Sequence, residues 1–125
     1  MESMHKQIIA QKLDAISESI HIIQERVRGF ATIDDMLSSP YGMMVFDSCV
    51  MRLQTIGENI KSVDDRTEGK YLGHYPETPW KKIIGLRNII SHEYANIDPE
   101  AIWSIFQKHL NPLSDVIEKM RAELM

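Results

Sequence analysis

The chain has 125 residues, 43% of them hydrophobic, and a formal charge of −4. That length suits a single domain, residues 1–125, able to bury a continuous core without staples, and the lone Cys49 excludes an intrachain disulfide and points to a reduced, intracellular setting. Net acidity argues against broad, nonspecific attraction to nucleic acid, and the charges scattered through the first 27 residues exclude the uninterrupted apolar run of a signal peptide or membrane span, so a cytoplasmic location is expected.

Ile9, Leu13, Ile16, Ile20, Ile23 and Val27 recur at alternating gaps of four and three, which lines one face of a helix. Gly29 should stop it, and "TIDDML" reads as a turn or short extra helical piece. Ser39 and Pro40 then look like an N-cap followed by a first-turn proline, opening a second long helix. Its stripe is Phe46, Cys49, Val50, Leu53, Ile60 and Val63, with Gly57 as an interruption that would let another backbone or a ligand approach. Cys49, inside that stripe, reads as a core filler.

The segment "DDRTEGKYLGHYPETP" is rich in Gly, Pro and charge and reads as a connecting loop. Thr78 and Pro79 repeat the cap-and-proline signal before "WKKIIGLRNIISH", and Asp98 and Pro99 repeat it before a last helix striped by Ile102, Ile105, Phe106, Leu110, Leu113, Ile117, Met120 and Leu124. Pro112 should kink that helix or make it locally irregular. No stretch alternates with the period of a half-buried strand. The expected fold is therefore all-α, an up-and-down bundle of four main helices. The regular first stripe and the eight methionines suit a dimer seam as well as a core, although core packing accounts for most of them.

Arg87, Asn88, His92 and Tyr94 gather where the third main helix runs out. At about 100° per residue Asn88 and His92 share a face, with Arg87 to one side, so the three can border one cleft. The plain alternative is a solvated helix end with a histidine favoured by the dipole. Between Lys61 and His92 lie six Lys or Arg against four Asp or Glu, so this part is net positive in an otherwise acidic chain.

"RNIISHEY", with Arg, four residues, His, one residue, Tyr, and Asn directly after the Arg, resembles the signature of the HEPN superfamily, in particular the HepT-like ribonuclease toxins. "LQTIGENIKSV", "YPETPWKKIIGLRN" and "NIDPEAIWSI" resemble three further segments of that family in the expected order, so that the likeness spans roughly residues 5 to 120. The resemblance implies a metal-independent RNA endonuclease toxin of a type VII-like toxin–antitoxin system, without a cofactor, whose site forms at or beside a homodimer interface. It also implies that Tyr94 accepts AMP from a cognate minimal nucleotidyltransferase acting as the antitoxin. Without the motif, Tyr94 would read as a ring packed at the helix end.

The residue types suit the chemistry. Imidazole is the side chain that ordinarily titrates near neutrality, so His92 can carry the proton taken from a ribose 2′-hydroxyl or given to the leaving 5′-oxygen. Arg87 offers a planar, permanently charged fork to phosphate oxygens, and Asn88 can orient the His ring or the scissile phosphate. Glu58, in "IGEN", either faces the cleft to support Arg87 and Asn88 or is a solvated helix residue. His5, His21, His74 and His109 lack metal-ligand spacing, and Trp80 and Trp103 read as packing anchors rather than base-stacking platforms. A second function class stays open: a noncatalytic HEPN binding module that docks a nucleotidyltransferase or binds nucleotides, with the Arg–His cleft as an anion site. A purely structural helical dimer would leave the motif unexplained.

Overall fold

The computed structural model describes residues 3–124 and is helical throughout its regular structure. Helix α1 spans Ser3–Val27, α2 Ile33–Leu37, α3 Pro40–Arg66, α4 Trp80–Glu93, α5 Pro99–Ser104 and α6 Leu110–Leu124. A π-helical turn, Ile105–His109, joins α5 to α6, so that these three pieces make the last of four main helices. The expected all-α bundle is the observed fold.

The predicted stripes are the core. Ile9, Leu13, Ile16, Ile20 and Ile23 of α1 are almost fully buried against Cys49, Val50, Ile56 and Ile60 of α3 and Leu110, Ile117 and Met120 of α6. Burial pushes the Cys49 thiol above its ordinary pKa, as suits a core filler. Two serines, Ser17 and Ser19, are buried on α1, and Ser17 Oγ donates to Glu118 Oε1 at 2.6 Å. Arg121 reaches the same carboxylate at 3.0 Å and Asp14 at 3.0 Å, tying α6 to α1. That serine bond, reinforced by Arg121, holds the Glu118 carboxyl below its usual range.

Two of the three expected caps form. Ser39 Oγ accepts from Gly42 N–H at 3.0 Å with Pro40 in the first turn, and Asp98 Oδ1 accepts from Glu100 N–H at 3.0 Å. The expected cap at Thr78 is corrected: Pro79 occupies the cap position, and no side chain caps α4. The chain is anchored there by Trp80 instead, which is buried and whose indole Nε1–H donates to the Tyr75 carbonyl at 2.9 Å. "TIDDML" forms α2, capped by Thr32 Oγ1 accepting from Asp35 N–H at 3.0 Å. A Cβ on Gly42 would lie 1.8 Å from the Met36 carbonyl oxygen, so glycine is what lets α2 cross the start of α3.

Pro112 produces the irregularity expected of it, as a π-helical turn just upstream. Lacking an amide hydrogen, Pro112 leaves the Lys108 carbonyl without its helical partner and crowds the preceding turn, and the helix widens over residues 105–109.

Helix α4 is attached differently from the others. Only Trp80 and Ile90 of its residues are buried, and its extensive contacts are with α3 and the turn that follows it. Between α4 and α6 remains an apolar cavity of about 690 Å³, lined in part by Leu53, Ile56, Ile83, Leu86, Leu110 and Leu113. The packing of α3 on α4 therefore decides where the last turns of α4 sit.

Candidate functional site

Close approach of α3 and α4 depends on Gly57. A Cβ there would lie 3.0 Å from Arg87 Cβ and 3.3 Å from the Ile83 carbonyl oxygen, so the absence of a side chain lets the α4 backbone lie on α3. This is the backbone approach that Gly57 suggested in the sequence. Arg87 consequently starts from the seam between the two helices. It is half-buried, and its Nε–H is shielded from solvent with no hydrogen-bond partner. Among the described residues the guanidinium has no ion pair either.

One turn further, Gln54 Nε2 of α3 donates to Ser91 Oγ of α4 at 2.7 Å, a second tie across the seam. Asn88 and His92 project from the exposed side of α4. No hydrogen bond connects Arg87, Asn88 and His92 to one another among the described residues, so each presents free polar groups to whatever enters.

The helix ends at Glu93, and a 3-10 turn, Tyr94–Asn96, follows. At Glu93 the backbone leaves helical geometry, with φ −132° and ψ 28°, which swings the next residue toward α3. There the Tyr94 hydroxyl donates a hydrogen bond to Asp47 Oδ1. The ring is 46% exposed. Burial of the hydroxyl, then the hydrogen bond and negative charge of Asp47, push the phenol pKa up to about 12.

Of the residues expected at the site, Arg87 lies on the α3 side, Asn88 and His92 on the solvent side, and Tyr94 beyond the helix end against α3. Glu58 is exposed and makes no hydrogen bond to Arg87 or Asn88. Asp47, Gln54 and Ser91 were not foreseen. Their partners lie 47 and 37 residues away in the chain, and no local spacing reports such contacts. Among the described residues no cluster of three or more His, Cys, Asp or Glu is arranged to hold a metal ion. None of the described helices is long and apolar enough to cross a membrane.

An all-α bundle carrying an Arg-Asn pair, then His and Tyr, at the frayed end of its third main helix belongs to the HEPN class. Residues 12–120 match the family described as Ribonuclease HepT-like, and the chain is a member of that ribonuclease family. It is similar to a protein named as an RNase in Caldanaerobacter subterraneus subsp. tengcongensis, 27% identical over 108 residues that cover 86% of this chain and 89% of the relative. It is likewise 27% identical to a protein named as ribonuclease HepT in Thermococcus cleftensis, over 87% of this chain and 92% of that one. A protein named as an RNase in Methanocaldococcus jannaschii is 29% identical over 75 residues, 60% of this chain and 65% of its own. No solved structure matches the chain.

Proposed function

We propose that this ribonuclease is the metal-independent endonuclease toxin of a type VII-like toxin–antitoxin pair, silenced when a minimal nucleotidyltransferase antitoxin transfers AMP to Tyr94. The observation that carries the catalytic part is the uncommitted guanidinium of Arg87. A half-buried cation with a shielded, unpartnered Nε–H is costly to leave alone and is relieved by an anion at the α3–α4 seam. An RNA phosphate is such an anion, and the neighbouring His92 supplies a proton carrier.

In this mechanism a His92 imidazole takes the proton of the ribose 2′-hydroxyl, whose oxygen attacks the adjacent phosphorus. Arg87 binds the non-bridging oxygens as charge accumulates in the phosphorane, and Asn88 orients the phosphate or the imidazole. Protonation of the departing 5′-oxygen leaves a 2′,3′-cyclic phosphate and a 5′-hydroxyl. One imidazole per protomer in the motif makes a homodimer attractive, with base and acid supplied by the two copies of His92. Met44 and Met51, seven residues apart on α3 and 61% and 62% exposed, offer an apolar strip for such pairing. AMP on Tyr94 would bring a bulky anion to the helix end, competing with substrate for Arg87 and excluding RNA.

The decisive experiment incubates wild-type protein and His92→Ala with RNA in excess chelator and assays the ends. Wild type is expected to leave cyclic phosphates, with the variant slower by roughly a hundredfold to ten-thousandfold, the usual contribution of a positioned acid or base. Equal cutting by both would remove His92 from the mechanism, and no cutting by an unmodified wild type would favour the binding-module reading. A mixed dimer of one wild-type and one His92→Ala protomer tests the shared site: it should be nearly inactive if both imidazoles serve one phosphate, and full single-site activity would sink that part.

A further inference from the structure

Tyr94 is held by a carboxylate that the motif does not contain. Asp47 lies about two turns into α3, a helix of 27 residues, so its carboxylate is presented from a rigid wall rather than from the loop that carries the phenol. The Tyr94 hydroxyl donates to it while the ring stays 46% exposed, reachable from solvent yet oriented. With the phenol pushed up to about 12, almost none of it is phenolate at neutral pH. A nucleophile that is almost never ionised must lose its proton while it attacks, to an acceptor already in place.

The other groups on this wall are occupied or unsuited. Gln54 and Ser91 bond to each other, Ser48 bonds to the Val45 carbonyl and to Arg26, and Met44 and Met51 accept no protons. Among the described residues Asp47 alone is hydrogen-bonded to the reacting oxygen.

We infer that Asp47 is the general base for nucleotidyl transfer to Tyr94, supplied by the modified protein itself rather than by the modifying enzyme. This rests on the reading of Tyr94 as the AMP acceptor. Tyr94 Oη attacks the α-phosphorus of a nucleoside triphosphate carried by the nucleotidyltransferase. The new oxygen–phosphorus bond forms as the bond to the bridging oxygen breaks; pyrophosphate leaves, and the phenolic proton passes to Asp47 Oδ1 and then to solvent. Asp47 is thereby a catalytic residue of the modification.

The test follows AMP incorporation by intact mass, using ATP and a minimal nucleotidyltransferase of the class proposed as the antitoxin. Asp47→Asn keeps the size and can still accept the hydrogen bond, but its amide cannot take the proton. Incorporation is expected to slow about a hundredfold, with Asp47→Glu restoring part of the rate and Tyr94→Phe taking no label. Asp47→Asn labelled at the wild-type rate, with Tyr94→Phe unlabelled, overturns the role of Asp47 and leaves the acceptor reading standing. Wild type that takes no label, or Tyr94→Phe that still does, overturns the acceptor reading and Asp47 with it. On the isolated protein, phenol titration by NMR provides a second measurement. The Tyr94 transition should fall toward that of an ordinary tyrosine in Asp47→Asn, and an unchanged transition overturns the contact on which the inference stands.

Discussion

Arg87→Ala is expected to lower RNA cleavage by about a thousandfold or more, the range in which arginines supplied to phosphoryl transfer act. The Arg87 guanidinium lies in a partly desolvated seam, where charge–charge attraction is stronger than in water, and no carboxylate among the described residues pairs with it. Its contribution should grow as the phosphorane gains charge, so the loss should fall mainly on kcat rather than on KM.

Arg87→Lys is expected to recover little. An ammonium keeps the charge but loses the planar fork, and with it the pair of parallel hydrogen bonds to two phosphate oxygens. Single-turnover rates on one defined RNA, with thermal melts to confirm folding, check both variants. A lysine variant within about tenfold of wild type would reduce Arg87 to a point charge. An alanine variant that loses only affinity would make the cleft an anion-binding site with chemistry elsewhere.

The helices were legible in the sequence because burial imposes a period, and α1, α3 and α6 bury the same residues that the stripes pick out. Helix α4 was legible by its motif rather than its stripe. It buries only Trp80 and Ile90, so the periodic signal is weak where the proposed site lies. The missing cap at Thr78 has a local counterpart, since the Trp80 indole on the Tyr75 carbonyl five residues back anchors that turn without help from Thr78.

Arg87, Asn88, His92 and Tyr94 could be proposed as a site from the sequence because they are close together in it. Asp47 was not, since its partner is 47 residues away and a lone aspartate on an exposed helix face looks like any solvated charge. Gly57 lies between these cases: its poor helix propensity marked it, but only the fold names α4 as the backbone it admits.

That approach sets up a second large effect. Gly57→Val is expected to destabilise the protein by roughly 1–3 kcal/mol, the usual range for overpacking, and to cut RNA cleavage by about a hundredfold or more. The new Cβ would sit 3.0 Å from Arg87 Cβ and 3.3 Å from the Ile83 carbonyl oxygen, neither of them the far end of a flexible chain, so α4 itself must shift. The Cβ alone asks α4 to give by a few tenths of an ångström, and the γ-methyls of valine ask for more. A displacement that approaches about 1 Å misplaces Arg87 and His92 together and can remove a hundredfold of rate without touching a catalytic atom.

Gly57→Ala separates the two consequences. Replacing glycine inside a helix ordinarily gains about 1 kcal/mol, which opposes the milder clash of a methyl group, so its stability should change little while its activity falls. Gly85 is the control, because a Cβ there meets nothing within 4 Å; Gly85→Ala should raise the melting temperature and spare cleavage. If Gly57→Val cut RNA as fast as wild type, the α3–α4 seam would not be what aligns Arg87 with His92. Alignment would then have to come from a partner that clamps α4 from its exposed side.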